Sequence, residues 1–598
     1  MRLEKLTLEH VFDRTERLDA PLFQRPYVWQ KTDNWVPLWE SIRAVAEKRL
    51  SGTSTRPHFM GAIVLDLMMT QLGKTHTRQI IDGQQRLTTL QLALAAARDL
   101  CVKQSENRYA EAFKKLTVND VPLSDDPDDK FKIWPTNADQ EDFRQVMQMG
   151  SPSGVRKMEH ADPNDEWRIP DAYLYFFDTF DEWLGVAGTE EFRKRLTTLY
   201  ETLRDDLLLV VIDLEREDDS QEIFETLNAL GTPLLPADLV KNHLFHLSEI
   251  QKEDTPKLYK QYWATFDEER GYWRKEVRQG RLKRPRLDLF LNHFLTLKIG
   301  QEVTISQVFR EYRDFVKSTN GQRASTHMEL FRTYAEVYKS FDEFAQDSRE
   351  GIFFYRLGEL DNTTVYPLLL EVVKRHNTAD GREELRKILA DLESFLVRRV
   401  ICELTPKNYN KLFVELVKEL GKGTTFSAEE IRGFLLRQEA DISRWPSDEE
   451  FRKAWMEIHF YKRVKQKGRM ILEALEAALH TGKTEKVQIE RDLTIEHLLP
   501  REWDRNWPLP LEDGSPEDVA EKTEHRENML HRVGNLSLLT KKLNPSVSNG
   551  PWERKLKEIL KHSALNLNRT LPEKWDEDLI EARSEELFAV AMKVWPHP

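Results

Sequence analysis

The chain contains few cysteines and no long apolar run. Of its 598 residues only Cys101 and Cys402 are cysteines, and each lies in an apolar helical context. Such a pair excludes a zinc cluster and makes a disulfide framework improbable. No apolar stretch approaches the roughly 20 residues of a membrane-spanning helix, and the first residues, MRLEKLTLEH, lack the apolar core of a secretion signal. We therefore expect a cytoplasmic protein without a membrane partner.

The length and the sequence pattern predict more than one domain. A chain of 598 residues exceeds what a single core usually serves, so two or three domains are expected. The predicted fold class is α+β and predominantly helical. We place an α/β domain at residues 1–250, a helical connector at residues 251–482 and a C-terminal domain at residues 483–598.

The secondary-structure pattern differs between these regions. Strand-like runs at residues 62–67 and 207–214 lie among helices in the first region, and the polar residues 120–129 indicate a loop or insertion. The connector shows apolar positions three and four apart almost throughout, as in residues 381–401 and 451–464, and strand-like alternation is rare there.

The C-terminal segment carries residue types that suit metal-dependent cleavage of a phosphodiester. An apolar strand pattern ends in Glu496 and His497 within IEHLLP, HRVGNLSLLTKKLN follows, and a helix is predicted to begin near Pro551. Cleavage needs a base to activate water and a divalent cation to neutralise the phosphate. Imidazole titrates near neutrality, so His497 is the candidate base. Glu496 and Asn544 offer the oxygen ligands that Mg²⁺ prefers.

Asn535 completes this set as the predicted orienting residue. Fixed by the turn at Gly534, its amide is expected to accept a hydrogen bond from one ring nitrogen of His497, which leaves the other nitrogen to take a proton. An isolated EH pair would be a surface histidine beside a solvated glutamate. The ordered set EHLLP, GNLSLL and LN favours the strand, loop and helix of a ββα-metal site instead.

A second motif, IIDGQQRLTTL, lies at residues 80–90. IID is predicted to be a short buried strand, and Gly83 permits a sharp turn into a helix whose apolar stripe is Leu87, Leu90 and Leu94. A strand, a glycine turn and a helix N-terminus form a phosphate-binding device, which Arg86 and two glutamine amides strengthen. The alternative is a capped helix start with exposed polar residues.

The aromatic stretch FQRPYVW leaves two interpretations open. Its residues Arg25, Tyr27 and Trp29 could stack on a base or grip a nucleic-acid backbone, and they could equally form an aromatic plug in the core.

The C-terminal set resembles HNH endonucleases. It is most similar to the nuclease domain of the GmrSD family of modification-dependent (type IV) restriction enzymes, whose pattern is EH(I/L)xP, GNLxLL, LN and a helix that carries a lysine. Each of these elements occurs in the chain. Asn549 and Lys555 also fall on family-like positions. The resemblance implies a nuclease that uses Mg²⁺ or Mn²⁺.

The N-terminal motifs resemble the N-terminal domain of the same family, a relative of the ParB and sulfiredoxin fold. They are PLFQRPYVW, FMGAIVL, DGQQR, IFETLNAL and DLVKN. In that family DGQQR is associated with binding and hydrolysis of a nucleoside triphosphate; GTP, ATP, CTP and UTP are not distinguished. The resemblance implies that Asp82 holds a metal or orients water. Gln84, Gln85 and Arg86 would contact the phosphates, with Gly83 in the same nucleotide-binding set. Gln24 and Arg25 would complete the pocket or touch DNA.

A basic stretch between Trp273 and Arg286 predicts contact with DNA phosphates, although the net charge of the chain is −13. Binding depends on where charge lies and not on its sum. The seven cations are Arg274, Lys275, Arg278, Arg281, Lys283, Arg284 and Arg286. The alternative is a solvated basic loop. A second basic stretch, residues 462–469, precedes the nuclease segment.

The expected function is a nucleotide-regulated, metal-dependent endonuclease of antiphage defence. It would cut modified double-stranded DNA, for example DNA with glucosylated hydroxymethylcytosine. One alternative senses phosphorothioate DNA through its NTPase and nicks DNA that lacks the mark. Another is a nucleotide-hydrolysing switch that binds DNA without cutting it. The sequence leaves the oligomeric state open, a homodimer included.

Overall fold

The change of sequence pattern near residue 250 lies close to a division of the structure. In the computed structural model one compact unit comprises Met1–Asp267 with Gln322–Ser325, and the other comprises Glu268–Gly321 with Thr326–Pro598. The helical connector and the C-terminal segment, which we predicted as separate domains, therefore lie within one unit.

The structure describes most of the chain. The described residues are 2–21, 24, 26–53, 57–67, 75–122, 124, 126–136, 139–158, 167–214, 235–268, 271–279, 282–319, 321–422, 425–464, 467–480, 493–511, 514–544 and 549–598. The motif IFETLNAL, the strand residues Val487 and Ile489, and the candidate residues Arg25 and Arg281 lie outside them.

The first unit contains a six-stranded mixed sheet with the strand order β1-β6-β3-β4-β2-β5. Its strands are β1 (Arg2–Thr7), β2 (Glu16–Asp19), β3 (His58–Leu67), β4 (His76–Asp82), β5 (Ile133–Trp134) and β6 (Leu207–Leu214). β6 runs parallel to β3 and antiparallel to β1, while β4 runs antiparallel to β3. The predicted strands at residues 62–67, 80–82 and 207–214 are confirmed.

Helices surround this sheet, and one of them is almost wholly buried. They are α1 (Leu8–Phe12), α2 (Val36–Leu50), α3 (Gln84–Lys103), α4 (Asn107–Thr117), α5 (Gln140–Met149), α6 (Pro152–Val155), α7 (Arg168–Leu184), α8 (Glu190–Glu201), α9 (Pro236–Ile250), α10 (Thr255–Leu258) and α11 (Ala264–Asp267). Leu87, Leu90 and Leu94 of α3 are fully buried, which confirms the predicted stripe. The described part of residues 120–129 contains neither helix nor strand.

The connector is helical, as its periodicity predicts. From Arg286 onward the helices are α12 (Arg286–Ile299), α13 (Val308–Ser318), α14 (Ala324–Glu343), α15 (Arg349–Glu359), α16 (Tyr366–His376), α17 (Arg382–Ile401), α18 (Tyr409–Leu420), α19 (Ala428–Leu436), α20 (Asp448–Glu457), α21 (Phe460–Arg463) and α22 (Lys467–Leu479). The helix expected over residues 451–464 is divided, because Ile458 takes an extended backbone with ψ 136°.

The basic stretch forms a β-hairpin within this mainly helical region. β7 (Glu276–Gln279) pairs antiparallel with β8 (Leu282–Pro285). Helical periodicity gave no sign of these strands, which carry three of the seven predicted DNA-contacting cations, Arg278, Lys283 and Arg284.

The C-terminal segment forms a two-stranded antiparallel ribbon with helices around it. The ribbon consists of β9 (Thr494–His497) and β10 (Leu536–Leu539), and the helices are α23 (Pro516–Leu530), α24 (Trp552–His562), α25 (Asn566–Arg569) and α26 (Glu577–Val594). A core that includes Leu498, Trp507, Trp552 and Trp575 fills the space between them. The helix predicted to begin near Pro551 is confirmed as α24.

Both cysteines are unpaired, and Cys101 is buried. Within the described ranges no helix has the length and apolar character that crossing a membrane requires.

Candidate active site

The β9–β10 ribbon presents Glu496 and His497 at the end of β9. Glu496 lies opposite Ser537, and His497 lies opposite Leu536. Both side chains are buried. Because neighbours on a strand point to opposite faces, the two side chains need separate supports, and the structure supplies a different partner to each.

Lys555 of α24 supports Glu496 and the backbone of His497. Its Nζ donates to Glu496 Oε1 at 2.5 Å and to the His497 carbonyl at 2.6 Å, and its side chain has no exposed surface. Burial raises the pKa of Glu496 and lowers that of Lys555, against the attraction between the two charges. Lys555 therefore fixes the end of β9 against α24. The motif placed Lys555 at a family-like position but did not reveal these contacts.

His531 is the hydrogen-bonding partner of the candidate base. His497 Nε2 lies 3.3 Å from His531 Nδ1, and the edge of the Tyr461 ring packs on His497 with ring centroids 4.5 Å apart. Burial, and then the neighbouring His531 and Arg501, lower the pKa of His497 to about 3. Burial, with Lys462 next, lowers that of His531 to about 4. Both rings are therefore neutral near pH 7, the state that can accept a proton.

The predicted hydrogen bond from His497 to Asn535 is wrong. Asn535 is fully buried, and its Nδ2 donates to the carbonyls of Leu499 and Leu530 at 2.8 and 2.9 Å. Its Oδ1 accepts from the Leu499 amide at 2.7 Å and from Trp575 Nε1 at 3.1 Å. An amide has no further capacity. Asn535 therefore fixes the chain that follows His497 instead of the imidazole.

The GN turn is held by α26, a contact that the motifs did not reveal. Arg583 Nη1 donates to the carbonyls of Gly534 and Leu536 at 2.5 and 2.8 Å, and the Gly534 amide donates to Ser584 Oγ at 3.1 Å. A Cβ on Gly534 would lie 2.0 Å from the Ile580 carbonyl. The glycine is required here because helix and turn touch through their backbones.

Asn544 lies beside β9, whereas Asn549 contacts the side chain of Glu502. Asn544 Nδ2 donates to Thr494 Oγ1 at 2.9 Å and to the Ile495 carbonyl at 3.3 Å, which places its amide next to the residue that precedes Glu496. Both bonds use the nitrogen, so the Oδ1 atom stays available for a ligand. Asn549 Nδ2 donates to Glu502 Oε2 at 2.7 Å.

The DGQQR motif forms the predicted corner between β4 and α3. Gly83 has φ +95°, and a Cβ there would lie 2.6 Å from Ile63 Cγ2, so this turn requires glycine. Arg86 does not face outward as expected. Its Nη1 donates to the Ala62 carbonyl at 2.6 Å, and its guanidinium covers Gly61, where a Cβ would lie 2.7 Å from Cζ. Burial lowers the pKa of Arg86, against the effect of Asp82.

Gln85 was predicted to contact a phosphate, and Gln24 to complete the pocket or touch DNA, but in the structure backbone groups bind the amides of both. Gln24 Nε2 donates to the carbonyls of Ile80 and Ile81 at 2.7 and 3.0 Å. Gln85 accepts from the Val28 amide at 2.8 Å and donates to the Pro26 carbonyl at 3.0 Å. Both side chains are buried. They fasten the aromatic stretch to the corner, which leaves Asp82 and Gln84 as its partly exposed polar residues.

Tyr27 of the aromatic stretch is part of the hydrophobic core. Its hydroxyl lies 2.6 Å from Thr89 Oγ1 and accepts from Trp35 Nε1 at 2.9 Å, and the ring is buried. Tyr27 therefore cannot stack on a base. Trp29 is partly buried against the same core.

Two predicted DNA-contacting cations of the hairpin, Arg278 and Lys283, are exposed, and so is Lys275, which directly precedes β7. Lys283 Nζ pairs with Glu276 Oε2 at 2.6 Å in an exposed ion pair, which contributes little to stability. Arg274 and Arg284 are partly buried.

Arg286 is directed away from the exposed hairpin surface. Its guanidinium lies over the Tyr272 ring at 4.2 Å and pairs with Asp342 at 3.4 Å. The predicted phosphate contact of Arg286 therefore does not fit the structure.

Two family models match the chain. That of the GmrSD restriction endonuclease N-terminal domain matches residues 8–245, and that of the GmrSD C-terminal domain matches residues 445–590. Together they cover well over half of the sequence. No curated protein was similar enough to match. The chain therefore belongs to the GmrSD family of restriction endonucleases.

Proposed function

We propose that the chain is a metal-dependent DNA endonuclease of the HNH type that cuts modified foreign DNA under the control of a nucleotide. Membership of a restriction endonuclease family supports DNA cleavage. The observation that carries the catalytic assignment is a buried His497 that pairs with His531 and stands next to a carboxylate held in place by Lys555. A protein that only bound DNA would need neither a base nor this buried pair.

The pairing with His531 assigns the proton-accepting atom of the base. If His531 Nδ1 accepts from His497, then His497 carries its proton on Nε2 and its Nδ1 is the basic nitrogen. Nδ1 takes a proton from the attacking water, and the positive charge that forms on the ring is shared with His531. His531 is thus a positioning residue, and Asn535 keeps the chain beyond His497 in register.

The oxygen donors at the end of β9 fit a hard divalent cation. Glu496 Oε1 is paired with Lys555, which leaves Oε2, and Asn544 contributes Oδ1. Two oxygen ligands suit Mg²⁺, which keeps several waters. Among the described residues no group of three or more His, Cys, Asp or Glu side chains could hold a metal, so this set depends on the amide. When bound, such a cation would neutralise the scissile phosphate and stabilise the departing oxygen.

The DGQQR corner is the proposed nucleotide site, with Asp82 as the residue that orients water or a metal. The ParB-like character of this domain remains part of the proposal. Its support is the glycine corner before α3. The first backbone amides of a helix point along its axis and can bind an anion such as a phosphate. Arg86 contributes by holding α3 to β3, which is a structural role.

Replacement of the base gives the most direct functional test. His497→Ala should lower magnesium-dependent cleavage of modified DNA by about 10²–10⁴-fold, the usual contribution of a general base, and should leave DNA affinity unchanged. The matched control is His525→Ala, because His525 is an exposed histidine on α23. Equal cleavage rates in the two variants would place the active site elsewhere.

The role of His531 can be tested with a pair of substitutions. An asparagine places its amide where histidine has Nδ1, so His531→Asn should retain most of kcat. His531→Leu should lower kcat by about 10–100-fold, with little change in KM, because the imidazole loses its orienting partner. If His531→Asn were as slow as His531→Leu, His531 would only fill space.

The nucleotide site can be tested by an isosteric change at Asp82. Asp82→Asn should lower NTP hydrolysis by about 100-fold, on the scale of a lost water-orienting group, and should spare the fold. Asp33→Asn changes an exposed aspartate of the same unit and serves as the control. Identical turnover of GTP, ATP, CTP and UTP in both variants would remove Asp82 from the chemistry.

A further inference from the structure

A large cavity with a mixed polar and apolar lining lies in the second unit, away from the residues assigned so far. Its volume is about 1010 Å³, and the end of α15, the end of α17 and the segment from α21 to α22 line it. A nucleotide fits easily in this space, since ligand pockets commonly measure 300–1,000 Å³.

The cavity and the catalytic histidine flank the same short helix. In α21, Tyr461 packs on the His497 ring, whereas Arg463, two residues later, lines the cavity. A DNA strand whose phosphate lies at His497 would therefore pass close to the cavity. Of the described basic residues in this stretch, Lys462 lies near His531, and Arg463 and Lys467 line the cavity.

Asn362 places an unused hydrogen-bond donor in the cavity. It is 8% exposed and lines the wall. Its Oδ1 accepts from the Thr364 amide at 3.2 Å and from Thr364 Oγ1 at 2.7 Å. Its Nδ2 has no partner among the described residues. The Nδ2 atom is not enclosed by protein, so it remains able to donate to a ligand that enters the cavity.

Carboxylates lie close to this donor. Asp361 and Glu403 line the cavity, and both have a left-handed backbone, with φ 52° and 53°. Each follows the end of a helix, at a position where glycine is usual. Strained residues of this kind cluster at ligand sites. Glu359 lines the same wall. Together with Asn362 they offer acceptors beside a donor.

The cations Arg463 and Lys467 also line the cavity, and Lys467 lies near Asp361. Arg463 is 66% exposed and pairs with Glu403 at 3.4 Å. Leu360, Leu396 and Val464, which are buried, contribute apolar surface to the same lining. The cavity thus combines apolar surface, two cations, several carboxylate acceptors and one amide donor.

We propose that this cavity receives a nucleotide turned out of the DNA duplex, with a base that carries an exocyclic amino group. Cytosine and adenine share this chemistry: the amino group donates to Asp361 or Glu359, and the adjacent ring nitrogen accepts from Asn362 Nδ2. Arg463 and Lys467 meet the phosphate. The remaining volume admits a substituent on the base. The inference rests on the proposed function, because it makes the cavity the place where that nuclease examines its substrate.

Binding of mononucleotides to the full-length protein tests the cavity without metal or cleavage. Calorimetric titration with dCMP, dAMP and dTMP should show binding of dCMP, dAMP or both, and binding of dTMP at least about tenfold weaker, since it lacks the amino group and leaves acceptors unpaired. A preference for one of the first two identifies the base. Equal affinity for all three, or no binding of any, would overturn the proposal.

Two variants connect this binding to the named residues. Asn362→Asp keeps the oxygen that accepts from Thr364 and replaces the donor with an acceptor, so affinity should fall by about tenfold or more. Asn377→Asp adds the same charge at an exposed position of this unit and should have no effect. Arg463→Gln, at an exposed site, should weaken dCMP or dAMP but not the corresponding nucleoside. Unchanged affinity in both cavity variants would contradict the assignment.

The same titration in His497→Ala protein should show unchanged mononucleotide binding, because His497 does not line the cavity. If the wild-type protein bound mononucleotides as expected but cut no DNA, the nuclease proposal would be contradicted and the cavity proposal supported. Cleavage of modified DNA by Asn362→Asp protein at the wild-type rate, together with unchanged binding, would overturn the cavity proposal alone.

Discussion

The buried ammonium group of Lys555 is the constraint on which the C-terminal site depends. A charge without solvent contact is costly unless it is paired and hydrogen-bonded, and Lys555 has both Glu496 and the His497 carbonyl as partners. The lysine therefore holds α24 against β9 and fixes the direction of the Glu496 carboxylate. Since His497 is the next residue, its backbone is fixed by the same contact. The geometry of the base, the carboxylate and the adjacent Asn544 follows from this single buried group.

Other buried cations hold the surrounding scaffold in the same way. Arg583 binds the backbone of the GN turn, and Arg398 and Arg399, both without exposed surface, donate mainly to backbone carbonyls. Such groups tolerate little movement, because a displaced carbonyl would leave a charge unsatisfied. The β9–β10 ribbon is short, with four residues in each strand, so its rigidity comes from these contacts and not from an extended sheet.

The sequence predicted the elements of the site better than the partners within it. The end of β9, the GN turn, α24 and the corner at Gly83 follow from local patterns: alternation, a glycine that must take a positive φ, and a proline before a helix. The partner of His497 could not be predicted in this way. Asn535 was the expected orienting residue, yet the backbone of Leu499 and Leu530 and the Trp575 indole use all the hydrogen bonds of its amide. His531 takes the place beside the imidazole. Likewise, Gln24 and Gln85 appeared to be ligand contacts because a motif does not indicate which backbone groups need a partner. Long-range packing decided each of these cases, as it did for Arg286 and for the β7–β8 hairpin.

The central claim is that Glu496 and Asn544 hold a divalent cation beside His497. Diffraction from crystals of the full-length protein soaked in Mn²⁺, with data collected at the manganese absorption edge, tests it most directly. The account predicts one anomalous peak at bonding distance from Glu496 Oε2 and Asn544 Oδ1, with Lys555 still on Glu496 Oε1. A Glu496→Gln crystal soaked in the same way should lose that peak. Manganese bound elsewhere, with no peak beside Glu496, would contradict the account.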